Sequence, residues 1–209
     1  MKLNIRCTPR FWGLLGVRPH MDRAALNEAA KLVYRDPEVA LREFRAVELA
    51  VATSDIPPHV KHLRTNALKG PREYRQAALF CYGMSKRIGL PMRFCPMEAS
   101  DYDFIATWES DEGRHFAPVQ LKELVPESLN GLATLQGLVD GLAKYSSASL
   151  TVAVFLNRRG RLPPRGLTMP SLRISALWFV FAAAEDQSEW GLYGNVLEDA
   201  SATTFDYPA

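Results

Sequence analysis

Three polar side chains stand in otherwise apolar stretches, and together they could do chemistry. Asp103 precedes the apolar run "FIATW", and Gln120 and Lys122 lie two residues apart within "PVQLKELV". In a strand, successive side chains point to opposite faces. Gln120 and Lys122 would then share one face, with Val119, Leu121 and Glu123 on the other. A carboxylate and an amide carbonyl are hard oxygen donors suited to Mg2+ or Mn2+. A lysine beside them can orient a water or offset negative charge on a phosphate in the transition state. Metal, water and ammonium together would make a site for phosphodiester hydrolysis.

Whether the three converge depends on strand register. "YDFIATW" (102–108) and "PVQLKELV" (118–125) flank the turn cluster "ESDEGR" and are predicted to pair as a hairpin. An even-numbered turn centred between Asp111 and Glu112 sets Asp103 opposite Gln120, with Cβ atoms about 4.5–5.5 Å apart. A three-residue turn using Gly113 shifts the register by one and moves Asp103 to the other face, unless a bulge at Pro118 restores it. The sequence leaves both open. Without convergence, Gln120 and Lys122 are the solvated face of an edge strand, where lysine discourages unwanted pairing.

The elements around this hairpin are predicted as follows. Residues 1–70 read as a helical region. Asp22 can cap "RAALNEAAKLVYR", and Asp36-Pro37 opens "EVALREFRAVELAVA" as an N-cap followed by proline. "SDIPP" breaks that helix, and "HVKHLRTNAL" follows. Gly70-Pro71 starts "REYRQAALFCYGMSKRI", which Gly89 and Pro91 end. "MRFCPME" (92–98) is a strand, and "SLNGLATLQGLVDGLAKY" (128–145) a helix with Leu132, Leu135, Val139 and Leu142 as its apolar stripe. "LTVAVFLN" (150–157) is apolar on both faces and therefore central in a sheet. "ALWFVFAAA" and "GLYGNVL" form a closing hairpin. The expectation is one α+β domain over 1–209 with a mixed central sheet flanked by helices: a helical N-terminal region (1–70), a core (71–157), and a basic loop with a C-terminal hairpin (158–209).

Asp103, sixteen intervening residues and then Gln120-Leu121-Lys122 resembles the PD-(D/E)XK nuclease superfamily, in a variant with a QXK triplet. The predicted order of helix, three-stranded meander, helix and strand over about 71–157 is also similar to the restriction-endonuclease-like core of that family. The resemblance implies a metal-dependent endonuclease that hydrolyses DNA, with Asp103 and Gln120 as ligands of Mg2+ or Mn2+. It implies Lys122 as the catalytic lysine and Glu73, on the first core helix, as an accessory acid. Two departures stand out. The usual proline-aspartate is "SDYD", so Asp101 competes with Asp103, which is preferred because the apolar strand starts directly after it. Gln120 replaces an acid and brings no charge, which weakens metal affinity. The alternative is therefore a catalytically degenerate nuclease-like protein that binds nucleic acid or protein. Many nucleases of this kind act as homodimers, although no interface pattern is visible in this sequence.

The remaining features are consistent with a globular chain. Of 209 residues, 47% are apolar and 23% charged, and only the last few suggest disorder. Residues 1–100 hold 17 Lys and Arg against 9 Asp and Glu, and residues 101–209 hold 8 against 14. Either the first half faces a polyanion such as DNA, or the two halves neutralise each other. Arg158, Arg159, Arg161 and Arg165 form the densest basic cluster, placed to hold a DNA backbone if the nuclease resemblance is right. Cys7, Cys81 and Cys95, an odd count without a CxxC pair, indicate reduced thiols and a cytoplasmic protein. "FWGLLGV" is too short to span a bilayer, so no membrane partner is expected. His59 and His62 lack a third ligand at motif spacing. His115 is expected to be solvated beside the turn. No phosphate-binding glycine motif is present.

Overall fold

A computed structural model describes residues 21, 23–52, 69–97, 99, 101–158 and 166–209. Asp22, His59, His62, Arg159, Arg161, Arg165 and Cys7 lie outside the described residues. Among those described, the helices are α1 (Arg23–Lys31), α2 (Pro37–Ala52), α3 (Lys69–Ile88) and α4 (Leu135–Asp140). The strands are β1 (Met92–Pro96), β2 (Phe104–Ser110), β3 (Gly113–Leu124), β4 (Thr151–Leu156), β5 (Ala176–Ala182), β6 (Glu189–Gly194) and β7 (Ser201–Asp206). They form one mixed, curled sheet in chain order, and the fold is α+β as the sequence pattern implied. β3, β4 and β5 run parallel to one another, and every other neighbouring pair is antiparallel.

The two sheet faces carry separate cores. On one, α3 packs Ala77, Ala78, Cys81 and Met84 against Phe94, Phe104, Val119, Phe155 and Trp178, with Leu41 of α2 beneath. On the other, Val139 and Leu142 pack against Val152, Val154, Leu177 and Phe179. β4 contributes Val152 and Val154 to one core and Ala153 and Phe155 to the other, so it is apolar on both sides and central. α1 covers Ile105 and Phe116 beside the second core. Between α1 and α2, Arg35 exchanges two backbone hydrogen bonds with Phe94, at 2.7 and 3.1 Å, which caps the free edge of β1.

Local signals account for most boundaries. Asp36 Oδ1 accepts from the amides of Glu38 and Val39 at 2.9 and 3.2 Å and caps α2 before its leading proline. Gly89 ends α3 with φ +69°. The helix predicted over 128–145 begins only at Leu135. Asn130 Oδ1 accepts from Leu132 and Ala133 at 3.1 and 3.2 Å, holding that stretch as a turn, and Thr134 caps the helix through Gly137 N at 3.0 Å. Leu132 is accordingly 94% exposed rather than part of an apolar stripe.

The N-terminal basic surplus is partly used to hold the C-terminal strands. Arg75 donates to Gln187 at 2.9 Å and lies over the Trp190 ring, and Arg87 donates to Thr203 at 2.8 Å and lies over Trp178. The chain end is not loose: Tyr207 is buried and donates its hydroxyl to Leu41 O at 3.0 Å. Among the described residues, no helix is long and apolar enough to cross a membrane.

Candidate functional site

The β2–β3 turn decides the site. Ser110 pairs with Gly113 across the two-residue turn Asp111-Glu112, and the register runs through to Phe104 opposite Val119. Gly113 has φ +118°, a conformation L side chains rarely adopt, so glycine at this position permits the tight turn. The paired register ends at Phe104 opposite Val119, and the two-residue turn is the even-turn alternative, which leaves Asp103 just beyond the pairing with its carboxylate beside Gln120.

β3 changes partners at this point. Residues 113–119 pair with β2, and 119–124 pair with β4. Beyond Val119, the edge of β3 that faced β2 has no backbone neighbour in register, because the chain leaves the sheet before Asp103. The Asp103 carboxylate fills the gap, with Oδ2 accepting from Leu121 N at 2.6 Å and from Gln120 Nε2. Its backbone is tied on both sides, its N–H donating to Val119 O at 2.9 Å and its C=O accepting from Met97 N at 3.1 Å. Asp101 is exposed at a bend outside this arrangement, so Asp103 is the aspartate at the strand divergence.

Gln120 is 7% exposed. Its Nε2 donates to Asp103 and to Leu121 O at 3.2 Å, while Oε1 accepts from the Tyr145 hydroxyl at 3.2 Å. Tyr145 follows the short 3-10 turn Gly141–Lys144 that continues α4. Lys122, on the same face as Gln120, places Nζ 5.5 Å from the centroid of the Tyr145 ring and makes no ion pair among the described residues. Glu123 points to the opposite face, 3.6 Å from Arg72 and bonded to Asn157 Nδ2.

A cavity of about 230 Å3 lies between α3 and the divergence of β1 and β2, lined by Glu73, Tyr74, Ala77, Pro96, Met97 and Asp103 among others. Glu73 therefore shares a cavity with Asp103 and is also paired with Lys69 at 3.4 Å. No family model matches this chain, and no curated protein or solved structure matches it either.

The donor set bears on a metal. Among the described residues, no three His, Cys, Asp or Glu side chains cluster to hold an ion. Magnesium, however, is commonly bound by one or two carboxylates completed by waters and substrate phosphate oxygens. Asp103, whose Oδ1 has no hydrogen bond among the described residues, and Glu73 on the same cavity fit that pattern. Gln120 does not fit as a ligand in this arrangement. Its carbonyl oxygen is turned to Tyr145, and its amide nitrogen faces the carboxylate, so it orients Asp103 instead.

Of the basic cluster, Arg158 is described. It donates Nε to Val125 O at 2.6 Å and an Nη to Asn130 O, closing the loop after β3. His115 is not solvated as expected. It is half-buried, stacked on Trp108 with centroids 5.2 Å apart, and 2.8 Å from Ser110 Oγ. Tyr145 and Lys144 were missed by sequence reasoning, since nothing in "LAKY" marks a residue that reaches a different strand.

Proposed function

We propose that this protein is a metal-dependent endonuclease acting on DNA phosphodiester bonds at the divergence of β2 and β3. The observation that carries the reading is the contact of the Asp103 carboxylate with Gln120 Nε2 where β3 leaves its antiparallel partner, with Lys122 on the same strand face as Gln120. The order α3, β1–β2–β3, α4, β4, with β4 parallel to β3, supports it further. Asp103 and Glu73 are the carboxylates that would hold Mg2+ or Mn2+. Such an ion, when bound, acts as a Lewis acid and lowers the pKa of a coordinated water. Gln120 fixes the rotamer of Asp103 through Nε2, and Tyr145 fixes Gln120 through Oε1. Lys122, without a carboxylate partner among the described residues, is available to offset charge that develops on a phosphate oxygen. The buried free thiols Cys81 and Cys95 fit a reducing, cytoplasmic setting.

The test is cleavage of supercoiled and single-stranded DNA with Mg2+ or Mn2+, comparing wild type with Lys122→Ala. Metal-dependent cutting that the variant lacks is the expected result. Because Gln120 orients Asp103 and supplies no charge, a second reading is a nuclease-like core that binds without cutting. Well-folded wild type that never cuts under either metal would establish that reading over the first.

A further inference from the structure

The Tyr145 ring gathers a second cation. Lys144 Nζ lies 5.2 Å from its centroid and Lys122 Nζ 5.5 Å. These two come from different elements, and they are the only lysines in residues 101–209, the acidic half of the chain. Neither has an ion-pair partner among the described residues. Asp140, one turn before Lys144, is instead held by Gln136 Nε2 at 2.7 Å. Tyr145 itself is buried, and like charges gathered at one ring repel each other. An anion between or alongside them removes that repulsion.

From this geometry we infer that Lys122 and Lys144 form a phosphate-binding pair that seats the backbone of a nucleic-acid strand across Tyr145, beside Asp103. The inference rests on the nuclease reading for its ligand and names Lys144 as a binding residue. The Tyr145 hydroxyl is committed to Gln120, which in turn contacts Asp103, so the ring that both ammoniums approach is held in place relative to that carboxylate. Two ammoniums on a flexible stem each suit successive phosphates as point charges rather than a single bidentate anion.

Counterion release supplies the test. Each phosphate contact contributes about 0.7 to the slope of log K against log salt on single strands, and about 0.9 on duplex DNA. Binding of a labelled single-stranded oligonucleotide and of its duplex is followed by fluorescence anisotropy in EDTA over a salt series. The proteins are wild type, Lys122→Ala, Lys144→Ala, the double variant and Lys86→Ala, with circular dichroism confirming the fold of each. Lys86 is exposed on α3, over the other sheet face. Each site substitution is expected to flatten the slope by about 0.7 on the single strand or about 0.9 on the duplex, and the double variant by about twice that. The strand type that shows the effect identifies the ligand. Lys86→Ala leaves the slope unchanged. Wild type that binds neither DNA, a Lys144→Ala slope equal to wild type, or an equal loss in Lys86→Ala overturns the inference. A protein with these slopes that cuts nothing keeps the inference and removes the hydrolytic reading. A protein that cuts but whose slope ignores Lys144 does the reverse.

Discussion

Replacing Asp103 separates its two roles, because one oxygen holds the strand and the other is available for chemistry. Oδ2 accepts from Leu121 N at 2.6 Å and from Gln120 Nε2. In Asp103→Asn the amide oxygen can occupy the same place and keep both bonds, but without the charge. Bonds to a charged group contribute about 1.5–3 kcal/mol and neutral ones about 0.5–1.5. The loss is therefore roughly 1 kcal/mol for each bond, or about 2 in all. Asp103→Ala removes the acceptor and leaves the amide of Leu121, a buried residue, unsatisfied, at a further cost of about 1–3 kcal/mol. With a urea slope of about 2 kcal/mol per molar, the midpoint falls by about 1 M for asparagine and about twice that for alanine. Function should not track stability, because both variants lose the charged metal donor. Asparagine presents an NH2 group where Oδ1 stood and should abolish metal-dependent cutting in a protein that remains folded. Urea unfolding and plasmid nicking on the same preparations read both effects. Metal-dependent cutting by Asp103→Asn at the wild-type rate would refute the assignment of the carboxylate as a metal donor. An Asp103→Ala midpoint equal to wild type would refute its role in bridging the divergence of β2 and β3.

Two further outcomes follow from the packing. A Cβ at Gly83 would lie 2.4 Å from Phe205 Cε1 and 2.9 Å from Leu192 Cδ1, so Gly83→Ala forces α3 away from β6 and β7. The expected cost is about 1–3 kcal/mol of unfolding free energy, read by urea denaturation, and an unchanged midpoint would show that the Phe205 ring yields freely. Burial pushes the His115 imidazole below its ordinary value of 6.5, so the folded protein resists a proton that the unfolded chain accepts. This stability is fully present above about pH 6.5 and is lost as pH falls through the lower folded value. The urea midpoint of His115→Gln should decline less than that of wild type between about pH 7 and 5, and parallel curves would show that His115 carries none of the effect.

The pattern of residues made much of this architecture legible. The two runs flanking the turn cluster "ESDEGR" marked β2 and β3, and the doubly apolar "TVAVFL" marked a central β4. The Asp36-Pro37 pair marked the start of α2. These signals are local, since each depends on neighbours within a few residues. β7 escaped notice because "SATTFD" buries Phe205 but presents mostly polar side chains elsewhere, as an edge strand can. The shortened α4 escaped because Asn130 and Thr134 turned the chain before the apolar spacing could act.

The sequence by itself determined that Gln120 and Lys122 share a strand face and that Asp103 heads the strand beside them. Tertiary structure decided whether Asp103 reaches Gln120, by selecting the two-residue turn at Asp111-Glu112 over a three-residue turn at Gly113. It also decided what Gln120 does. A glutamine can present its carbonyl or its amide, and only the arrival of Tyr145, twenty-five residues away, together with the adjacent carboxylate, turns its oxygen away from a ligand role. Strand alternation is set by backbone geometry that every residue shares. The orientation of an amide and the gathering of Lys122 and Lys144 at one ring depend on contacts between segments that no local spacing encodes.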